Sequence, residues 1–293
     1  MKRDVVIDNI FALCFEGKFD KAKEELKAFR SEFGWMERAV HMELCVYSLT
    51  NDLENAKEFI LLLLDEEIWL NPIELKSDDD LNNLRELNEF RELVQFSEKK
   101  YARLKEVSEP KIINLNHNET KKVFLWVHGR GSSLSDFQED YKKMKSIEQY
   151  KNFYLQSSQV YAEGKYCWDD EEQAVREIKS LTESISAEKK IICGISQGGR
   201  VLFRAKMQNE IQDDILLIIP ALYQSDVEEI ERDGIDFEGT INIISGSVDP
   251  LYKNVCKTAE ILKQKGCNIQ FYSMDNVGHY LPDNFDEVLK QVI

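Results

Sequence analysis

After Pro110 the chain alternates short apolar runs with amphipathic segments, and this alternation constrains the fold more than any other feature. The runs read "KKVFLWVHG", "KNFYLQSS", "KKIICGIS", "DDILLIIP", "GTINIISG" and "CNIQFYSM". Each is too short for a buried helix and rich in β-branched and aromatic residues, so each predicts a strand. Between them lie stretches such as "DDEEQAVREIKSLTESIS" and "VCKTAEILKQKG", whose apolar residues recur at helical spacing. Strand and helix in alternation predict an α/β fold with a mostly parallel central sheet and helices on both faces. In such sheets ligands bind beyond the carboxyl ends of the strands, so the residues just after each run matter most.

Before Pro110 the character differs. Residues 1–109 contain one proline, Pro72, and apolar residues at helical spacing, as in Phe19, Ala22, Leu26 and Phe29. Comparing the segment with itself at the offset that carries Phe19 to Leu53 also aligns Ala22 with Ala56, Leu26 with Ile60, Phe29 with Leu63 and Trp35 with Trp69. That period, about 34 residues, is the tetratricopeptide one. "EGKFDKAKEEL" and "TNDLENAKEFI" resemble the start of the second helix of such a repeat. A third register places Phe90 and Val94 at matching positions, so "LRELNEFRELVQF" is expected to be a degenerate closing helix. A plain helical bundle sharing the period is the alternative. The acidic "KSDDD" run beside Pro72 predicts a solvated loop and a helix start. The expected organisation is an all-α tetratricopeptide-like domain over 1–109 and a catalytic α/β domain over 110–293.

The strand ends carry "HGRG" at 128–131, "GISQGG" at 194–199, "SGSVDP" at 245–250 and "VGH" at 277–279. Gly194-Ile195-Ser196-Gln197-Gly198 fits the Gly-x-Ser-x-Gly turn that exposes a serine between strand and helix. Ser196, Asp249 and His279 follow in the chain order of an α/β-hydrolase triad. A serine hydroxyl is a weak nucleophile near neutral pH and needs an imidazole to take its proton, the role expected of His279. A carboxylate behind the ring fixes the tautomer and stabilises the imidazolium, the role expected of Asp249. Asp275 is a rival acid, while Asp226 and Asp236 fall in a less regular segment. A developing oxyanion needs preorganised donors, which the hydrolase template takes from the residue after the nucleophile and from the loop after an early strand. Here those are the backbone N–H groups of Gln197 and Arg130. His128 is expected to order its loop instead of moving protons.

With these residues assembled, the segment from about 120 to the end resembles the carboxylesterase and acyl-protein thioesterase branch of the α/β-hydrolases, known also as phospholipase/carboxylesterases. "HGRG", "SQGG", the Asp249 loop and the "GH" at 278–279 match that branch, and "YCWDDEEQAVREI" resembles its tryptophan-acid segment. The resemblance implies nucleophile, acid and base roles for Ser196, Asp249 and His279, oxyanion roles for the amides of Arg130 and Gln197, and a position for Trp168 near the site. Trp168, Leu251 and Tyr280 are expected to line the substrate pocket. The chain departs from the branch in Ser245-Gly246-Ser247-Val248-Asp249, where His-Gly-x-x-Asp is common, and in Arg130, where an apolar residue is common.

The implied activity is a serine esterase or thioesterase acting on a small-molecule substrate through an acyl-enzyme. A peptidase or amidase on the same fold and a non-catalytic hydrolase-like binding protein are the alternatives. A formal charge of −16 without a compact Lys/Arg cluster argues against nucleic acid and anionic lipid surfaces. The basic start of "MKRDVVIDNIFALCF" is interrupted by Asp4, Asp8 and Asn9, so no signal peptide is expected, and the run Phe59 to Leu64 is far below the roughly 20 residues a membrane span needs. A soluble, cytoplasmic protein is expected, with a protein or peptide as candidate partner of the N-terminal helices. The six cysteines lack C-x-x-C pairing and the four histidines stand far apart, so no metal and no cofactor are expected.

Overall fold

The computed structural model describes residues 3–232, 237 and 239–293. The chain divides into two compact units, Met1–Val107 and Ser108–Ile293. Asp236 lies outside the described residues.

The described part of the first unit is built from helices α1 (Arg3–Phe15), α2 (Phe19–Phe33), α3 (Glu37–Leu49), α4 (Leu53–Asp65), α5 (Pro72–Ser77) and α6 (Asn88–Val107), with a 3-10 turn over Asp79–Leu84. Both ends of α3 follow those of α1 by one repeat period of about 34 residues, and the start of α4 follows that of α2 by the same step. The apolar pairs at that offset share one fate: Ala22 and Ala56, Leu26 and Ile60, and Phe29 and Leu63 are all buried. Small residues at 22 and 56 let helices approach closely, while the larger ones fill the space between them. The third register is shortened. Pro72 starts α5 at the position where its missing N–H costs nothing, with Asn71 Oδ1 accepting from the Ile73 amide at 2.9 Å. Asp78 then caps the 3-10 turn by accepting from the Asp80 amide at 2.9 Å. Phe90 in α6 is buried, and Val94 packs against the same core.

The second unit contains β1 (Lys111–Asn114), β2 (Lys122–Val127), β3 (Lys151–Gln156), β4 (Val160–Ala162), β5 (Lys165–Tyr166), β6 (Lys189–Ile195), β7 (Asp214–Ile218), β8 (Ile241–Gly246) and β9 (Ile269–Met274). Its helices are α7 (Leu134–Tyr141), α8 (Glu171–Glu183), α9 (Gln197–Met207), α10 (Gln224–Arg232), α11 (Tyr252–Gln264) and α12 (Phe285–Leu289). Seven strands form one sheet in the order β1-β3-β2-β6-β7-β8-β9. All six runs singled out in the sequence are strands of this sheet, and they pair in parallel. The seventh, β1, joins antiparallel to β3.

Alternation along the strands divides the core. In β2, Val123, Leu125 and Val127 face a layer that includes Ile178 of α8, Leu202 of α9 and Leu262 of α11. Phe124 and Trp126 face the opposite layer with Phe137 of α7 and Phe285 of α12. A strand buried on both faces needs apolar residues at consecutive positions, which is why β2 and β7 read as unbroken apolar runs after their first residue. No helix among the described residues is long and apolar enough to cross a membrane.

Candidate active site

Four strand ends converge at the carboxyl edge of the sheet. Ser196 separates β6 from α9 and holds φ 52° and ψ −115°, a region that side chains other than glycine rarely adopt. Its amide donates to the Ile218 carbonyl at 3.0 Å and its carbonyl accepts from the Ala221 amide at 3.0 Å, so the end of β7 fixes the strained turn on both sides. The strain lifts the hydroxyl off the sheet, where Oγ lies 2.8 Å from His279 Nε2.

His279 follows β9 by five residues and Asp249 follows β8 by three. Their loops touch through backbone: a Cβ on Gly246 would stand 2.2 Å from the Val277 carbonyl oxygen, so only glycine permits the approach. His279 Nδ1 is 2.7 Å from Asp249 Oδ2. The other carboxylate oxygen accepts from the Leu251 amide at 2.8 Å. The Asp249 side chain is 1 % exposed, while that of His279 is 32 % exposed. The acid is therefore shielded from water, and the ring reaches the surface. Asp275 is exposed and sits at the end of β9, whereas Asp226 is buried on α10 in an ion-pair network with Arg200 and Arg204. That network ties the helix behind Ser196 to α10, and Glu171 links both arginines to α8.

The loop after β2 approaches from the other side. An added Cβ on Gly129 would lie 3.4 Å from Ser196 Cβ. Arg130 points its guanidinium at Asp169, with Nε 2.8 Å from Oδ1 and Nη2 2.9 Å from Oδ2, and stacks 4.7 Å over the Tyr161 ring. Gln197 Nε2 donates to the same Asp169 Oδ1 at 2.7 Å, and Gln197 Oε1 accepts from the Trp168 amide at 2.9 Å. Asp169 thus joins the side chains of the two residues whose amides the sequence assigns to an oxyanion. Burial pushes the Asp169 carboxyl up, but the hydrogen bonds from Arg130 and Gln197 outweigh it and hold the group below its ordinary value. Motif reading misses Asp169, although it stands in the quoted "YCWDDEEQ" segment; nothing in the spacing marks it as the partner of two distant residues.

Trp168 differs from its expected place in a pocket wall. Its ring is 1 % exposed, stacks on His128 with centroids 4.8 Å apart, and donates from Nε1 to the His128 carbonyl at 2.9 Å. It supports the 128–131 loop from within the core, because a large indole with one polar atom is best buried where that atom finds an acceptor. Leu251 and Tyr280 are half-buried beside Asp249 and His279. His128 is fully enclosed: Nδ1 donates to the Gly129 carbonyl at 2.8 Å and Nε2 accepts from the Ser157 amide at 3.2 Å. Burial lowers its pKa to about 4, so it is neutral and holds the loop.

No protein-family model matches the chain, and no curated protein matches it. Among solved structures, esterase PE8 matches with 14% identity over 64% of this chain and 99% of that chain, at a TM-score of 0.51. An uncharacterized protein from Bacillus cereus ATCC 10987 matches with 20% identity over 99% of this chain and 97% of that chain, at a TM-score of 0.49. A phospholipase/carboxylesterase from Dyadobacter fermentans DSM 18053 matches with 15% identity over 63% of this chain and 96% of that chain, at a TM-score of 0.46. At such identities the likeness is one of fold, and the match to esterase PE8 carries it: the mostly parallel sheet and its helices form an α/β-hydrolase fold.

Proposed function

We propose that this protein is a cytoplasmic serine hydrolase that cleaves carboxylic esters or thioesters through an acyl-enzyme. The observation that carries the reading is the continuous hydrogen-bonded chain from Ser196 Oγ through His279 to Asp249, at 2.8 Å and 2.7 Å. In this reading Ser196 Oγ attacks the substrate carbonyl while His279 Nε2 takes its proton. Asp249, anchored by the Leu251 amide, holds Nδ1–H and stabilises the imidazolium. The amides of Gln197 and Arg130 bind the oxyanion, worth about 3 to 4 kcal/mol per donor in comparable sites. His279 then returns the proton to the leaving oxygen or sulfur, and a water activated by the same ring releases the acid. The ion pair of Arg130 with Asp169 favours short or polar acyl groups, because a long apolar chain laid across it would strip its water. For the helical unit, the recurrence of α1 and α2 in α3 and α4 supports a tetratricopeptide-like role in binding a peptide or protein.

The test is covalent. A fluorophosphonate probe should label the full chain, and Ser196→Ala should abolish both labelling and hydrolysis of p-nitrophenyl esters without altering the circular dichroism. Retained labelling, or residual hydrolysis above about a hundredth of the parent rate, would remove Ser196 as nucleophile. Matched ester, thioester and amide substrates separate the proposed activity from that of a peptidase.

A further inference from the structure

Helix α3 places His41 and Cys45 one turn apart on a single face, and the segment following α5 brings Asp78 against both. His41 Nε2 lies 2.7 Å from Asp78 Oδ2, and Cys45 Sγ lies 3.6 Å from the same oxygen. The imidazole nitrogen, the sulfur and the carboxylate oxygen all fall within 4.8 Å of one another. Asp78 is held for this arrangement, since Oδ1 accepts from the Asp80 amide at 2.9 Å while Oδ2 faces the helix. A second observation bears on His41. Its Nδ1 is buried and has no hydrogen-bond partner, although the ring also groups with the carboxylates of Glu37 and Glu74 at the same spacing.

We propose that His41, Cys45 and Asp78 bind one Zn2+-like divalent cation, which clips α3 to the segment between α5 and the 3-10 turn. Imidazole nitrogen, thiolate and carboxylate form a donor set that zinc takes in tetrahedral sites. Bond lengths of about 2.0 to 2.3 Å imply ligand atoms about 3.4 Å apart. The sulfur and Oδ2 already stand near that separation, and the nitrogen and Oδ2 need to part by under about 1 Å. On binding, the Cys45 thiol loses its proton to solvent and its sulfur bonds the metal. The neutral His41 ring binds through Nε2 and carries its proton on Nδ1, on the ring that Glu37 and Glu74 surround. Neither carboxylate bonds Nδ1 as it stands, and a small movement of one on metal binding would let it accept that proton, as outer partners of metal-bound histidines commonly do. Water completes the fourth position. The site lies wholly within the first unit and is independent of the serine hydrolase reading.

The experiment uses the full chain, stripped with a chelator and titrated with Co2+ as a spectroscopic stand-in. A thiolate-to-Co2+ charge-transfer band should grow to saturation at a single equivalent and should be displaced by Zn2+. Cys45→Ser should abolish the band, and His41→Gln should weaken binding at least about tenfold. Cys256→Ser, on α11 of the second unit, should change neither. Zn2+ should also raise the thermal midpoint of the parent chain and not that of a His41→Gln/Cys45→Ser double variant. No band with the parent, or a band that survives Cys45→Ser, overturns the site. Should Cys45→Ser fail to fold, Asp78→Asn keeps an oxygen to cap Asp80 while losing the ligand charge; unchanged affinity in that variant overturns the site equally.

Discussion

Gly198 and His128 are packed so closely that a Cβ on Gly198 would stand 2.4 Å from the His128 carbonyl oxygen. The first turn of the helix behind Ser196 therefore rests directly on the backbone of the loop that carries Arg130. The same carbonyl accepts from Trp168 Nε1, so the indole holds in place the group against which Gly198 packs. Neither neighbour is a flexible side chain that could move aside, since the next atom in line is the Val127 carbonyl oxygen at 2.6 Å.

Gly198→Ala should push this loop away from Ser196. The expected result is a fall in kcat/KM of at least about a hundredfold, the size of losing one oxyanion donor, together with a lower thermal midpoint. Steady-state kinetics and thermal unfolding measured on the same preparation check it. Parental kinetics in a well-folded Gly198→Ala variant would mean that the loop does not contribute to the reaction.

The two candidate acids make opposite predictions. Asp249→Asn should leave the fold intact and lower turnover by about 10³- to 10⁴-fold, because an amide facing Nδ1 favours the wrong imidazole tautomer. Asp275→Asn, at an exposed position, should leave turnover unchanged. Turnover numbers for both variants, with substrate affinity measured separately, decide between them; the reverse ranking would reassign the acid.

His128 predicts a pH dependence of stability. Its ordinary pKa of 6.5 applies in the unfolded chain, while burial lowers it to about 4 in the folded protein. Between these values the unfolded state binds the proton and the folded state does not, so stability is fully present above about 6.5 and is lost progressively as pH falls to about 4. The difference is worth about 3 kcal/mol. Protonating Nε2 would also set an N–H against the Ser157 amide that now donates to it. Denaturant unfolding between pH 7 and pH 4 should show this slope, and His128→Gln, less stable at neutral pH, should show a shallower one. Equal slopes in parent and variant would show that the ring is protonated in the folded state.

Much of the second unit is legible in the chain because its signals are local. An unbroken apolar run such as "VFLWV" is required of a strand buried on both faces, and the Gly-x-Ser-x-Gly turn encodes its own strained geometry within five residues. The helix pairs are legible for the same reason, since a fixed repeat period needs only the sequence compared with itself. The edge strand β1 and the β4–β5 ribbon do not stand out in the sequence: "KIIN" and the two-residue β5 carry too little pattern, and β1 becomes a strand by pairing with the distant β3, while β4 and β5 pair with each other across a short turn.

Tertiary structure alone decided which groups meet. Sequence order offers both Asp249 and Asp275 to His279, and the contact of Gly246 with Val277 brings the β8 loop, with Asp249, to the ring. The sequence puts Trp168 in the pocket wall, and only the packed fold shows the ring stacked on His128 and buried. Asp169 gains its place by joining Arg130 and Gln197, 39 and 28 residues away along the chain. His41 and Cys45 look like isolated residues until a segment 33 residues beyond Cys45 folds Asp78 onto their helix face. A sequence pattern records the conformational preference of each segment, because that preference depends on neighbours along the chain. Charge pairing and ligand geometry depend on separations of a few ångströms between side chains of different segments, and only the packed fold fixes those.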